Sequence, residues 1–253
     1  DSHGQVEMSL LQRLIRASEL VSHGVMQDKN LLTAEAIAPI LSILNDVTYE
    51  ELRLSPPLTW NAQHASNGQG ESKRMDRSAN NYLDGKPPGT YYLHLHETQA
   101  CSIGVFILPP GGTIPLHDHP NMCVMSKILY GELLISSFDW VEPEKLFTNR
   151  VFGGKARVHD YAQLYPECSI KVLYPDNGGN IHEFYSPCEV ENAIGCAILD
   201  VIIPPYDEYN NRGCKYYSME NSLLESKASC RNHGDIVGLF PTTASDFHVE
   251  NLN

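Results

Sequence analysis

Two histidines separated by one residue, His117 and His119, follow a segment rich in glycine and proline. Side chains at positions i and i+2 of a β-strand point to the same face. Two imidazoles placed in this way can bind one metal ion, because neutral imidazole is a common metal ligand. Such a pair also arises by chance, so the prediction of a metal site depends on the residues around it.

The residues around the pair have a characteristic spacing. Gly111 precedes His117 with five residues between them, and Gly131 lies twelve positions after His119. This spacing resembles the first signature of the cupin superfamily, which contains a glycine, five residues, His-x-His, a glutamate and a final glycine. Val124 occupies the position of the glutamate, which is a ligand in most metal-binding cupins. The chain therefore departs from the cupin pattern at one ligand.

A third histidine fits the second cupin signature, which contains Gly-x-x-His. Gly179 and His182 match it, after a turn and at the start of a β-rich run. The resemblance thus implies three neutral imidazoles and no carboxylate, whereas the usual non-haem iron site has two histidines and one carboxylate. Loss of the carboxylate raises the net charge of the site by about one unit, so an anionic ligand such as a substrate thiolate is better tolerated. This is the arrangement of thiol dioxygenases.

Four separated segments extend the match beyond the histidines. They keep their order along the chain and are Ile114–Pro120, Lys127–Gly131, Gly178–His182 and Leu199–Asp207. Together they resemble the family of cysteamine (2-aminoethanethiol) dioxygenase and the plant cysteine oxidases. The Ser126-Lys127 and Asp139-Trp140-Val141 elements also resemble those of the plant enzymes. The resemblance covers roughly residues 85–217.

The resemblance implies an iron(II) enzyme that uses O2 as co-substrate and converts a thiol into a sulfinic acid. Family substrates are cysteamine and peptides or proteins with an N-terminal cysteine, whose product feeds an oxygen-dependent degradation signal. By analogy, His117, His119 and His182 are the iron ligands. Asp200 would hold the ammonium group of the substrate or its water network, and Tyr206 would line the same opening. The alternative for Asp200 and Tyr206 is a surface position at a strand end.

Cys214 and Tyr216 match a family position at which animal members can form a thioether between cysteine and tyrosine. Their i, i+2 spacing on a strand would place the two side chains on one face. We expect these residues to be functional only if the bond forms.

The early strands lack a feature that free-cysteine dioxygenases share, an Arg that holds the carboxylate of the substrate. Residues 89–108 contain no Arg or Lys. A substrate with an ammonium group and no nearby carboxylate is therefore favoured over free cysteine, and efficient turnover of free cysteine at low concentration would contradict this hypothesis.

Two other functions compete with a thiol dioxygenase: a cupin enzyme that acts on a carbon substrate, and a non-catalytic metal-binding cupin that acts as a sensor. His94 and His96 also alternate on a predicted strand, but we expect one of them to be a core or pocket residue and neither to be a ligand. Asp118 points away from the ligand face, which favours a turn or supporting role. Cys123 is expected to be a small apolar core residue.

The elements that position these residues are mostly strands. Seven β-rich runs are predicted, at Tyr91–Glu97, Ser102–Leu108, Val124–Leu129, Glu132–Asp139, Ser169–Leu173, His182–Ser186 and Ala193–Ile203. Pro-Pro-Gly-Gly, Asn-Gly-Gly-Asn and Pro-Pro sequences separate them, a pattern typical of an all-β sandwich or barrel. With the resemblance, the expected fold is the cupin double-stranded β-helix, a jelly-roll barrel with N-terminal helices packed on its outside.

Apolar residues at three- and four-residue spacings predict two helices in the first ~50 residues. Gly24 is a plausible end of the first helix, and Thr33 is a plausible N-cap of the second. Pro39 would kink the second helix or shift its start. The predicted organisation is a helical cover at 1–58, a loop or linker at 59–88, the barrel at 89–217, and a C-terminal loop with a closing strand near 236–243 in the segment 218–253, all in one structural domain.

Composition excludes several classes of protein. The 253 residues include 18 Lys plus Arg and 31 Asp plus Glu, a formal net charge of −13, which argues against a nucleic-acid partner. No apolar run reaches the ~20 residues that span a bilayer, and no signal-peptide pattern is present. Because the sequence starts with Asp1 rather than Met, targeting by a preceding segment stays open. The seven scattered cysteines favour a reducing cytoplasm, and we expect a monomer.

Overall fold

The computed structural model describes residues 8–25, 32–56, 89–188, 193–219, 232–244 and 247–252. The loop predicted at 59–88 lies outside the described residues, as does much of the C-terminal segment. The described chain contains three α-helices, α1 (Leu10–Val25), α2 (Ala34–Asp46) and α3 (Leu146–Phe152). Its strands are β1 (Thr90–Glu97), β2 (Ser102–Leu108), β3 (Thr113–Asp118), β4 (Cys123–Gly131), β5 (Leu133–Trp140), β6 (Gly154–Leu164), β7 (Lys171–Leu173), β8 (Ile181–Tyr185), β9 (Cys196–Ile203), β10 (Tyr216–Met219), β11 (Ile236–Thr242) and β12 (Val249–Asn251).

The strands form two six-stranded arrangements. An open sheet has the order β12-β1-β2-β9-β4-β7, and a closed barrel has the order β10-β11-β6-β5-β8-β3. Pairing of Tyr216 with His117 closes the barrel, so the strand that carries a candidate ligand is also the strand at the seam. These two arrangements, with helices outside the sheet, confirm the predicted fold class.

Three apolar clusters hold these layers together. The interior of the barrel takes one or more residues from each of its strands, among them Leu116, Phe138, Val158, Ile181, Tyr217 and Leu239. The outer face of the barrel packs on the open sheet through Ile114, Leu133, Ile135 and Phe184 against Leu108, Ile128, Cys196 and Ile198. Helices α1 and α2 cover the other face of the open sheet, where Leu14, Ile37, Ile40 and Leu44 meet Val105, Met125 and Leu199. The sheet is therefore buried on both faces.

The helix boundaries follow the expected signals. The hydroxyl of Thr33 accepts a hydrogen bond from the Ala36 backbone N–H (3.3 Å), which confirms the predicted N-cap of α2. Pro39 lies inside this helix rather than at its start. Helix α1 is helical through Gly24 to Val25, where the described segment ends, so the end predicted at Gly24 stays a prediction. None of the helices the structure describes is long and apolar enough to cross a membrane.

Several strands differ from the sequence-based prediction. The strand expected from Ala193 begins at Cys196, because Gly195 adopts a left-handed backbone (φ 78°). The run expected from Ser169 is paired only over Lys171–Leu173. The prediction did not include β6, β10, β12 or α3. The last predicted strand is confirmed as β11, which pairs with β10 and β6 in the barrel.

The signature glycine Gly131 ends β4 at a point where two segments of backbone touch. Its φ is +80°, and a Cβ at this position would lie 1.9 Å from the carbonyl oxygen of Gly195. Only glycine fits this left-handed, crowded position without displacement of the neighbouring chain.

Candidate metal centre

A polar layer interrupts the apolar packing between the barrel and the open sheet. We use this term for four buried residues, Ser126, Ser137, His182 and Asp200. Each lies two positions along its strand from an apolar residue of the packed interface, and therefore on the same face. The neighbours are Ile128, Ile135, Phe184 and Ile198. Strand pairing aligns Ser126 with Asp200 and Ser137 with His182.

The three candidate ligands converge beside this layer. His117 is the last residue but one of β3, and His119 follows the end of that strand. His182 lies on β8, which pairs with β3 at His117. The ring centroids are 4.7 to 4.8 Å apart, and one nitrogen from each ring lies within 4.8 Å of the other two. These histidines form the only such group of potential metal ligands among the described residues.

Backbone carbonyls orient two of the rings. Nδ1 of His117 lies 2.8 Å from the Pro115 oxygen, and Nδ1 of His119 lies 3.1 Å from the Asn180 oxygen. Since a carbonyl can only accept, each Nδ1 carries the proton and each Nε2 keeps its lone pair. The backbone thus fixes the tautomer that a metal requires.

Burial lowers the pKa of all three imidazoles below the ordinary value, most strongly at His119 and His182. Mutual repulsion among the rings lowers the pKa of His119 and His182 further. In addition, Nδ1 of His182 is buried without a hydrogen-bond partner in the described structure. Three neutral, buried nitrogen donors that converge in this way fit a divalent transition metal.

Two tyrosines and one cysteine form a wall beside the histidines. The Tyr206 ring lies 5.5 Å from the His119 ring, and the Tyr216 ring lies 6.2 Å from the His117 ring. The Cys214 thiol is within hydrogen-bonding reach of both phenols. Burial raises the pKa of Cys214 to about 11, so its sulfur is a protonated thiol at neutral pH. Sequence analysis selected all three residues, and the structure brings them together.

Asp200 lies across from the imidazoles, on β9 of the open sheet. Only 5% of it is exposed, and burial raises its pKa to about 7, although the Ser126 hydroxyl lowers it. Asp200 pairs with Gly104 of β2. The phenol of Tyr92 packs directly against Gly104, since a Cβ on Gly104 would lie 2.2 Å from the Tyr92 hydroxyl oxygen. Asp200 therefore occupies an interior position rather than the surface position considered as its alternative.

Comparison with known proteins agrees with this geometry. A family model described as PCO_ADO matches residues 43–252. The chain belongs to this family. Plant cysteine oxidase 1 from Arabidopsis thaliana is 35% identical over 183 residues, which cover 72% of this chain and 55% of that protein. The chain therefore spans about half the length of this relative.

Two further relatives of the PCO_ADO family align over most of their length. A probable 2-aminoethanethiol dioxygenase from Dictyostelium discoideum is 30% identical over 86% of both chains. The 2-aminoethanethiol dioxygenase of Mus musculus is 29% identical over 96% of this chain and 93% of its own. Among solved structures, a cupin superfamily protein from Desulfitobacterium hafniense covers 47% of this chain and 82% of its own, with 13% identity and a TM-score of 0.31.

Asn180 is a residue of this PCO_ADO site that the sequence analysis did not select. Its side-chain oxygen accepts the His119 backbone N–H (3.3 Å), and its amide donates to the carbonyls of Met122 (3.2 Å) and Tyr174 (2.9 Å). The Asp139 carboxylate accepts the N–H groups of Gly179 and Asn180. Two sequence features could have pointed to these residues: the Gly-Gly-Asn turn contains Asn180, and the Asp-Trp-Val element contains Asp139.

The remaining histidine pair lies elsewhere in this PCO_ADO protein. His96 on β1 lies 3.1 Å from the Glu19 carboxylate of α1, and His94 lies 3.9 Å from Glu97. Neither ring is in the triad. Cys123 is fully buried in the cluster beneath the helices, and burial raises the pKa of its thiol to about 12, as expected for an apolar core residue.

Proposed function

We propose that this protein is an iron(II)-dependent thiol dioxygenase, which adds both atoms of O2 to a thiol and gives a sulfinic acid. The observation that carries the proposal is the group of three neutral imidazoles, with Val124 rather than a carboxylate at the fourth signature position. Membership of the PCO_ADO family and relatives named as cysteine oxidase and 2-aminoethanethiol dioxygenase support it.

His117, His119 and His182 would hold the iron. Imidazole nitrogen suits several transition metals, so the choice of iron rests on the named dioxygenase relatives. Bound iron would supply redox chemistry toward O2 and would lower the pKa of a coordinated thiol. The protein keeps the imidazoles neutral, fixes their tautomers through backbone carbonyls, and excludes water with the apolar interface behind them.

We propose that the substrate carries an ammonium group next to its thiol, as cysteamine and an N-terminal cysteine do. Asp200 is the buried carboxylate that would bind this ammonium group, since a charge-assisted hydrogen bond offsets the burial of both charges. Tyr206 lies beside His119 and would border the bound substrate. Segment 89–108 has no cation for a substrate carboxylate.

The oxidation of N-terminal cysteine in proteins would make the enzyme an oxygen sensor of the reducing cytoplasm. Reducing conditions keep substrate thiols available and match the absence of disulfides among the described cysteines. The role of Cys214 and Tyr216 is then conditional on a thioether between them. We propose further that the protein is a monomer and has no nucleic-acid partner.

Oxygen uptake with a peptide that begins with cysteine tests this function, and the same peptide with serine first is the control. We expect a sulfinic product with the mass of two added oxygen atoms, and loss of uptake in His117→Ala. Competition between cysteamine and the peptide at limiting oxygen identifies the main substrate. Bound iron without oxygen uptake on either thiol would instead indicate a metal-binding sensor.

A further inference from the structure

A buried ion pair lies directly behind the metal ligands. Asp118 separates His117 from His119 in the chain, and its side chain points into the barrel, away from the imidazoles. Only 1% of the Asp118 side chain and 9% of the Arg150 side chain are exposed. Nε of Arg150 donates to Oδ2 of Asp118 at 2.7 Å.

The guanidinium of Arg150 also holds a second segment. Nη1 donates to the carbonyl of Asn211 (2.8 Å), and Nη2 donates to the carbonyl of Gly213. Gly213 immediately precedes Cys214, the thiol of the wall beside the histidines. One planar cation on α3 therefore contacts both the His-x-His segment and the segment that carries Cys214, and the fixed fork of donors makes this geometry specific to arginine.

Asp118 completes the connection from the other side. Its Oδ1 accepts the backbone N–H of Lys215 (3.0 Å) and its Oδ2 accepts the Tyr217 hydroxyl (2.8 Å). The backbone oxygen of Asp118 accepts the Tyr206 hydroxyl (2.9 Å), and its N–H donates to the Lys215 carbonyl (3.1 Å). Tyr206 and the 214–216 segment thus take their positions from the residue between two ligands.

We propose that Arg150 is a positioning residue of the metal centre: it fixes the His-x-His segment through Asp118 and the Cys214 segment through two carbonyls. This inference rests on the proposed metal centre. A buried ion pair alone is weak grounds for a stabilising role, because apolar residues of similar size often stabilise as well. The three nitrogens of the Arg150 guanidinium all donate to segments that carry site residues. An ion pair with a purely structural role would not require this arrangement.

Two variants distinguish a role of Arg150 in positioning the metal ligands from a role in the stability of the fold. Arg150→Lys keeps a cation beside Asp118 but cannot reach both carbonyls, and the double variant Asp118→Asn, Arg150→Met removes both buried charges together. Arg157→Met is the matched control, because Arg157 is exposed and donates to the Gly234 carbonyl (3.3 Å) away from the histidines. Each protein is compared by thermal midpoint, by the visible absorption and dissociation constant of its Co(II) form, and by the kcat and KM of its iron form.

We expect both Arg150 variants to fold, with thermal midpoints roughly 5–15 °C below that of the wild type, because the carbonyls of Asn211 and Gly213 lose their donor. Their Co(II) absorption should change, with Co(II) affinity about 10- to 100-fold weaker. The value of kcat should fall at least tenfold while KM stays within about twofold. Arg157→Met should match the wild type in every measurement.

The proposal is overturned if folded Arg150 variants keep the wild-type Co(II) spectrum and kcat, or if none of them folds, since Arg150 then serves folding alone. A wild-type protein that binds neither Co(II) nor iron would refute the metal centre itself. If the wild-type protein is active and the Arg150 variants have the same activity and Co(II) spectrum, only the positioning role is refuted.

Discussion

Burial favours the uncharged form of the three imidazoles, in which one ring nitrogen keeps its lone pair for a metal. Burial lowers the pKa of each ring, and carbonyl acceptors direct the Nδ1–H groups of His117 and His119 away from the centre. Across the layer, burial acts on Asp200 in the opposite direction and raises its pKa to about 7. The same desolvation thus disfavours the charged form of both kinds of group.

Asp200→Asn tests this burial through the pH dependence of stability. The carboxyl has a pKa of about 7 in the folded protein and about 3.9 in an unfolded chain. Between these values the folded state holds a proton that the unfolded state has released, so stability falls as the pH rises from about 4 to 7. We expect the metal-free variant to exceed wild type by up to roughly 4 kcal/mol at pH 8 and to match it at pH 4, measured by denaturant unfolding with EDTA.

The same substitution should act in the opposite direction on activity. In the proposed site, loss of the carboxylate would leave the substrate ammonium without its partner, so kcat/KM for cysteamine at pH 8 should fall by at least tenfold. Replacement of the more exposed Asp160 by Asn controls for the loss of one negative charge. A wild-type pH profile of stability in Asp200→Asn would contradict the buried position of this carboxyl.

Asn180→Ala removes the residue that links the His182 turn to His119. The substitution leaves one N–H and two carbonyls without their partners, which costs about 2–4 kcal/mol of unfolding free energy. Because the peptide that orients His119 is then released, metal affinity should also fall about 10- to 100-fold. Isothermal titration with Co(II) and denaturant unfolding measure the two effects.

Ser22→Ala is the control for Asn180. The buried hydroxyl of Ser22 donates to the Ala100 carbonyl where α1 meets the open sheet, on the face opposite the histidines. This variant should lose stability without loss of metal affinity. Equal metal affinity in both variants would show that Asn180 has no role in orienting His119.

The sequence revealed the histidines and a supporting role for Asp118, but it did not reveal Asn180 or Arg150. His117 and His119 share a local spacing with Gly111 and Gly131, which a single chain displays. Asn180 contacts a backbone 61 residues away, and Arg150 contacts Asp118 at a separation of 32 residues. Such contacts arise only when the barrel closes. The Gly-Gly-Asn sequence therefore marks Asn180 as a turn residue, but no local pattern shows which backbone it contacts.

Strands and helices were predictable where burial follows a simple period. Helices α1 and α2 have one apolar face each, and β5 begins with an alternation of buried and more exposed residues. Strands β2 and β9 are buried at most positions on both faces, so each shows as a continuous apolar run. In β6, two alternate positions, Ala156 and Val158, are fully buried, so its alternation is too weak to stand out. Strand β10 has only four residues, and α3 has seven, which leaves too few turns for a periodic signal.

Lys127 on β4 joins the open sheet to its helical cover. Its Nζ donates to the carbonyls of Asn45 and Val47, both at 2.6 Å, at the C-terminal end of α2. A cation there satisfies orphan carbonyls and interacts favourably with the helix dipole. We expect Lys127→Met to lose about 1–3 kcal/mol of unfolding free energy, while the Co(II) spectrum stays that of the wild type.

Lys171→Met provides the comparison for this prediction. Nζ of Lys171 donates to the Asp160 carboxylate at 2.6 Å, and Asp160 is partly exposed. Exposed pairs of this kind contribute about 0–1 kcal/mol, so the control should lose less stability. A loss in Lys127→Met no larger than in Lys171→Met would contradict the structural role of Lys127 between α2 and β4.

The whole molecule is arranged in layers, with helices outside, the open sheet next, and the barrel last. The interface between the helices and the sheet is apolar, and the polar layer interrupts the otherwise apolar interface between the sheet and the barrel. The net charge of −13 disfavours polyanions and suits a cationic substrate group. Because all three histidines belong to the barrel side and Asp200 belongs to the sheet, the proposed substrate lies between layers that must stay packed together.

Metal binding should therefore stabilise the entire fold. A ligand at 100 times its dissociation constant adds about 2.7 kcal/mol, which corresponds to a rise of roughly 5–10 °C in Tm for a chain of this size. We expect Co(II) to raise the Tm of the wild type under anaerobic scanning fluorimetry, and His182→Ala to lose the effect. His96→Ala should keep it, since His96 contacts Glu19 outside the triad. Burial lowers the pKa of the ligands, so the rise in Tm should persist at pH 6, and an equal rise in His182→Ala would refute the site.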